Sequence, residues 1–161
     1  GVSYCYSAAL LFDGAGHDGY TVHHYGQGSG SHLSLGLLAD FTGDDTYRGG
    51  VLAQGAAHDF AVGGLLDRAG RDTYVADHDS QGHGMNNALG WLLDGAGDDV
   101  YVARDTTNSQ GIGNTGGERE CGSLGLLLDL GGTDSYSCAV SNGVPKLRPL
   151  YGVVWDVEEK R

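Results

Sequence analysis

Short apolar runs, each closed by an aspartate, recur along the chain. They are Ala9-Leu10-Leu11-Phe12 before Asp13, Gly36-Leu37-Leu38-Ala39 before Asp40, Gly63-Gly64-Leu65-Leu66 before Asp67, Gly90-Trp91-Leu92-Leu93 before Asp94 and Gly125-Leu126-Leu127-Leu128 before Asp129. Apolar runs of this length bounded by turn residues read as buried strands. Asp-x-x-Gly follows each run and fits a type I turn, with Asp at the first position and Gly at the fourth. A second short strand then carries Tyr20, Tyr47, Tyr74, Tyr101 or Tyr136, and a Gln-Gly pair at Gln27, Gln54 and Gln81 makes the next corner. The pattern Asp-x-x-Gly-x-Asp-x-Tyr occurs five times; its leading Asp steps by 27 residues three times and by 35 once, and a further 27 reaches Asp156. A fixed period of this size is the signature of a solenoid. Three sides in 27 residues suit an all-β fold, a parallel β-helix whose equivalent residues stack about 4.8 Å apart. The general handedness of parallel crossovers predicts a right-handed coil.

Alternation within the apolar strand places Leu11, Leu38, Leu65, Leu92 and Leu127 toward the core. The opposite face then carries Phe12, Leu66, Leu93 and Leu128 with Leu10, Leu37, Trp91 and Leu126. An outer column that is also apolar predicts an interface, formed by self-association or by packing against another part of a parent protein.

The fourth interval is longer: Tyr101 to Gln110 is nine residues instead of seven, and Gln110 to Asp129 is 19 instead of 13. A loop is expected to protrude there while the coil continues, since insertions in solenoids map to corners. The chain thus divides into a five-coil repeat region, residues 1–143, with an insertion near 104–121, and a capping coil, residues 144–161. Pro145, Pro149 and the terminal charges suit a blunted β edge, and Asn142-Gly143 stands in for Gln-Gly. Counting 13 residues back from Asp13 lands one position before Gly1, where the preceding Gln would stand. The chain is therefore expected to be a piece of a longer protein.

Composition changes the picture in three ways. Thirty glycines in 161 residues disfavour helices, each interior Gly costing about 1 kcal/mol relative to Ala. A net charge of −12 argues against nucleic acid, whose phosphates are bound by Lys and Arg, and leaves cations and neutral carbohydrate as better partners. The three cysteines, Cys5, Cys121 and Cys138, are too few for a disulfide framework and match no zinc spacing. The apolar runs are too short for membrane insertion as a spanning segment.

Stacking turns each repeated residue into a ladder. Aromatic pairs in the Tyr column contribute about 0.5–1.5 kcal/mol each, and the Gln column can pass amide hydrogen bonds from coil to coil. The Asp columns need an offsetting partner: two ionised carboxylates about 4.8 Å apart repel by roughly 3.5 kcal/mol at an effective dielectric of 20. Either turn N–H groups hold each carboxylate, each Asp capping its own turn, or cations lie between the coils.

Gly14-Ala15-Gly16-His17-Asp18-Gly19-Tyr20 and Gly95-Ala96-Gly97-Asp98-Asp99-Val100-Tyr101 resemble the Gly-Gly-x-Gly-x-Asp-x-hydrophobic nonapeptide of RTX calcium-binding repeats, in which stacked turns hold Ca²⁺. The resemblance implies Ca²⁺ at Asp13, Asp18, Asp40, Asp45, Asp67, Asp72, Asp94, Asp99, Asp129 and Asp134. The whole 27-residue repeat is also similar to uncharacterised bacterial β-solenoid repeats, a likeness that implies no activity.

The histidines fall at scattered phases of the coil, only His24 and His78 sharing one, and so predict no site. The carboxylates are alike in every coil, whereas a catalytic centre breaks a repeat locally, so no catalytic residue is assigned. The expected role is a structural or adhesive, self-associating and calcium-stabilised β-solenoid module of an extracellular or surface protein. The alternative is a carbohydrate-binding or polysaccharide-cleaving β-helix, with Arg104, Glu118, Arg119 and Glu120 near the insertion.

Overall fold

The computed structural model describes residues 1–113, 122–138, 140–148 and 150–157. Sixteen strands and no helix occupy them, arranged as a three-sided parallel β-solenoid. The first side stacks β1 (Val2–Tyr4), β4 (Ser29–Ser31), β7 (Ala57–His58) and β10 (Gly84–Met85). The second stacks β2 (Ala8–Phe12), β5 (Leu35–Asp40), β8 (Val62–Asp67), β11 (Leu89–Asp94), β13 (Leu124–Asp129) and β16 (Gly152–Asp156). The third stacks β3 (Gly19–Gly26), β6 (Thr46–Ala53), β9 (Thr73–His78), β12 (Val100–Ala103) and β14 (Ser135–Tyr136). One further strand, β15 (Lys146–Arg148), runs antiparallel on β16 at the edge of the second sheet.

The register is the sequence period made physical. Asp40 pairs with Asp67, Asp67 with Asp94, Asp94 with Asp129 and Asp129 with Asp156, while the tyrosines pair from Tyr20 through Tyr136. The 35-residue interval therefore leaves the coil in step. Part of the longer segment folds as a small loop: the Asp105 carboxylate accepts from the Thr107 N–H and the Asn108 amide, and the Arg148 guanidinium donates to the Thr106 and Ser109 carbonyls. Residues 114–121, including Glu118, Arg119, Glu120 and Cys121, lie outside the described residues.

Corners are built from residues in the left-handed region. At Gln27-Gly28, Gln54-Gly55, Gln81-Gly82 and Gln110-Gly111 both members have positive φ, from 51° at Gln27 to 83° at Gly28. Glycine is required at the second position because the corner runs against the second sheet of the next coil. A Cβ on Gly28 would lie 1.8 Å from the Gly64 carbonyl oxygen.

The interior is narrow. Leu38, Leu65, Leu92, Leu127 and Val154 pack against Tyr47, Tyr74 and Tyr101, all fully buried, with Tyr20 and Tyr136 closing the stack. The tyrosine rings are parallel within 3–7° at centroid separations of 4.8–4.9 Å, the spacing that parallel strands impose. Core volume elsewhere comes from Ala53, Ala56, Ala57, Ala61, Ala76, Ala88 and Ala103.

Candidate functional site: the carboxylate columns

All ten aspartates singled out by the motif fall into four groups of three, with donor atoms within 4.8 Å of one another: Asp13, Asp18 and Asp40; Asp45, Asp67 and Asp72; Asp72, Asp94 and Asp99; Asp99, Asp129 and Asp134. The leading and second Asp of each repeat stand on either side of one turn, and stacking brings in the neighbouring coil.

The two columns are held differently. Most leading aspartates close their own turns, as Asx capping predicts: Oδ1 of Asp67, Asp94 and Asp129 accepts the N–H two residues on, at 3.1 Å in each case, and Oδ1 of Asp13 does so at 3.3 Å, while Oδ1 of Asp40 is buried without a partner. From Asp40 to Asp129 the other oxygen accepts a phenol from the coil before. Tyr20 donates to Asp40, Tyr47 to Asp67, Tyr74 to Asp94 and Tyr101 to Asp129, at 2.5–2.8 Å. The tyrosine column is thus a set of O–H donors aimed at the carboxylate column as well as a stack of rings.

Second aspartates do not close their own turns. Each reaches back one coil: Oδ1 of Asp45 accepts the Asp18 N–H, Asp72 that of Asp45, Asp99 that of Asp72 and Asp134 that of Asp99, at 2.5–2.8 Å. Self-capping therefore describes one column only; the other is a side-chain-to-backbone ladder between coils. Asn142 ends that ladder, its Oδ1 accepting the Asp134 N–H at 2.6 Å. This place differs from the Gln-like corner role expected of Asn142.

The glutamine ladder also differs from expectation. Rather than joining amide to amide, Gln54 donates to the Tyr47 carbonyl of its own coil and the Val75 carbonyl of the next, and Gln81 does the same with Tyr74 and Val102. Amide stacking gives way because the carbonyls at the start of the third sheet face the interior and need donors.

Burial weighs on both columns, and more on the second. Oδ2 of Asp45, Asp72, Asp99 and Asp134 is buried without a hydrogen-bond partner, as are Asp40 Oδ1 and Asp156 Oδ2 in the leading column. Burial pushes the Asp72 carboxyl up to about 8 and Asp134 up to about 7, against the lowering effect of the N–H each accepts. Burial also raises Asp67 and Asp129, to about 6; here a Tyr O–H and a turn N–H favour the ionised form. Asp45, Asp94 and Asp99 are raised by burial in the same sense. Burial disfavours the ionised form, so a proton or a cation would stabilise these carboxylates beyond the N–H and O–H donors they already accept. Several of these clusters could bind a metal ion. Asp156, which the motif search left outside the site, extends the leading column: it is fully buried and its Oδ1 accepts the Gly143 N–H.

A further cluster escaped the search for histidines of common phase. His32 and Asp59 occupy one phase of the coil in successive turns, and His58 precedes Asp59 in the chain, so three donors meet although the two histidines do not share a phase. A search for any donor type at one phase would have found the Cys5, His32, Asp59, Asn86 series, spaced by 27. Arg104 is an exposed partner of Asp77 at 3.3 Å.

Comparison of the chain with protein-family models, with curated proteins and with solved structures finds no match. The likeness to RTX turns accordingly rests on the motif residues alone.

Proposed function

We propose that this β-solenoid is a structural module of an extracellular or surface protein, a stiff rod that joins a second copy of itself through the outer face of its second sheet. The observation that carries the reading is the chemistry of that face. Outward positions of six consecutive strands are Ala8, Leu10, Phe12, Leu35, Leu37, Ala39, Val62, Gly64, Leu66, Leu89, Trp91, Leu93, Leu124, Leu126, Leu128, Val153 and Trp155, without a charge among them in a chain of net charge −12. Phe12 is 59% exposed and Trp155 52%. Trp91 lies across Gly64, whose Cβ would sit 2.2 Å from the indole, which flattens the middle of the face.

Six strands about 4.8 Å apart and five or six residues long give a flat footprint of roughly 500 Å². Side-chain relief brings this toward the ~800 Å² per partner of a standard interface. Sheets pack face to face about 10 Å apart with aligned strands, so a two-fold pair that buries the same face on each copy is the natural arrangement. Sedimentation of the protein at micromolar concentration should give a dimer, and Leu93→Glu, at the centre of the face, should give a folded monomer. A wild-type monomer at those concentrations removes the reading.

Calcium in the carboxylate columns is the second part of the proposal. It is supported by the unpartnered Oδ2 atoms of Asp45, Asp72, Asp99 and Asp134, and by oxygen being the donor that calcium takes. A melt of the chelated protein with and without added Ca²⁺ tests it. A calcium-dependent rise in Tm supports ions between the coils; an unchanged Tm means that protons neutralise the columns.

A further inference from the structure

We propose that His32, His58 and Asp59 form a binding site for a divalent transition-metal ion of the zinc type, bridging two adjacent coils at the corner between the first and second sheets. The site is independent of the carboxylate columns, which line the turn between the second and third sheets.

Local sequence and register assemble it. His58 ends β7 and pairs with Ser31 of β4, so the next residues, His32 and Asp59, stack at the corner, each in the left-handed region at φ 57° and 56°. The left-handed corner turns both side chains onto one surface. His32 Nδ1 lies 2.9 Å from Asp59 Oδ2, and His58 Nδ1 lies 3.6 Å from the same oxygen. One donor atom from each of the three residues lies within 4.8 Å of the others. Bonds of 2.0–2.2 Å from zinc to imidazole nitrogen and carboxylate oxygen imply tetrahedral edges of about 3.3–3.5 Å. The observed 2.9 and 3.6 Å bracket that spacing, so a metal could enter with small side-chain adjustments.

The surroundings fit a metal better than an exposed ion pair. Asp59 is largely buried, at 8% side-chain exposure, and His58 is 20% exposed, so two of the three ligands are held before an ion arrives, while His32 is 35% exposed. Tyr4 packs edge-on against the His32 ring at 4.9 Å, and the two imidazoles meet at 74°. The Asn86 Nδ2 amide nitrogen, one coil further on, stands 3.1 Å from His58 Nε2, placed to donate to it. A metal at Nδ1 requires the Asn86 amide to turn over, so that its oxygen accepts the Nε2–H and Nδ1 keeps a lone pair, the outer-sphere arrangement common behind metal-bound histidines. Imidazole and carboxylate donors favour zinc and its neighbours over calcium, which takes oxygen alone. Three protein ligands leave a fourth position open. It faces a cleft of about 400 Å³ lined by Tyr4, Cys5, Tyr6, His32, Leu33, Asp59 and Phe60.

The test uses the full chain carrying Cys5→Ser, so that a cleft thiol cannot be the binder, with excess Ca²⁺ present to fill the carboxylate columns. Titration with Zn²⁺ against a chromophoric chelator should show one tight ion per chain. His32→Ala and His58→Ala should each weaken it by more than ~100-fold, beyond the ~10–100-fold typical of an outer-sphere partner, the effect expected for Asn86→Ala. Circular dichroism checks that each variant keeps its sheet. Co²⁺ bound to the Cys5→Ser protein provides a readout that needs no ligand variant: intense tetrahedral d–d bands support the site. An octahedral cobalt spectrum, loss of Zn²⁺ binding on Cys5→Ser alone, or unchanged binding in the His32→Ala/His58→Ala double variant overturns it.

Discussion

Leu11 and Leu65 hold the same place in the coil, yet Leu11 is 41% exposed and Leu65 is fully buried. Tyr20 and Tyr74 are related in the same way, the first half-buried and the second enclosed between Tyr47 and Tyr101. The motif is the same in both coils; what differs is the number of neighbours. A coil of this solenoid buries its residues only through the coils above and below it, so stability is a sum over interfaces between coils. The first coil of the structure has one such interface and the middle coils have two.

Substitutions can break that contrast. Leu65→Ala is expected to cost about 3–5 kcal/mol, since the narrow interior flanked by fixed backbone closes poorly over a cavity, whereas Leu11→Ala should cost less than ~1.5 kcal/mol. Chemical denaturation of the two variants measures the difference, and equal losses would mean that burial in the coil stack does not set stability. Tyr74→Phe removes the O–H donor to Asp94 at a fully buried site, and should cost about 1–3 kcal/mol. Tyr20→Phe should cost less, because at a half-buried ring water can replace the donor.

The carboxylates sharpen the comparison through pH. Asp67, Asp72, Asp129 and Asp134 have folded-state pKa values raised above the ordinary 3.8, to between about 6 and about 8. The folded chain therefore holds more protons than the unfolded chain, and stability falls as pH rises. Without metal, Tm should be highest near pH 4–5 and decline to pH 8; divalent cations that fill the columns should restore the high-pH end. A Tm that climbs from pH 5 to pH 8 in chelator would contradict proton sharing in the columns. The smallest effect is expected from Asp72→Asn, which keeps an oxygen for the Asp45 N–H in the way Asn142 already serves Asp134. It should flatten the pH dependence and raise Tm at pH 8, a gain of 1 kcal/mol appearing as about 2–4 °C in a chain of this size.

Residue order alone determined the period, the three sides, the inward leucines, the tyrosine column and the two aspartate columns. These follow from alternation and from a repeat that forces equivalent residues into register, so counting suffices. The apolar outer face was legible for the same reason, since side chains on a strand alternate between faces. Direction along the solenoid axis was not. The hydroxyls of Tyr20, Tyr47, Tyr74 and Tyr101 reach the leading Asp of the following coil, while Asp45, Asp72, Asp99 and Asp134 reach back to the N–H of the preceding second Asp, and both partners recur at the same phase in either direction. Only the tilt of the side chains in the folded stack chooses between them. The meeting of His32, His58 and Asp59 was equally a tertiary decision. It depends on a left-handed corner turning residues of neighbouring phases onto one surface, and a search for equivalent positions looks only along a single column.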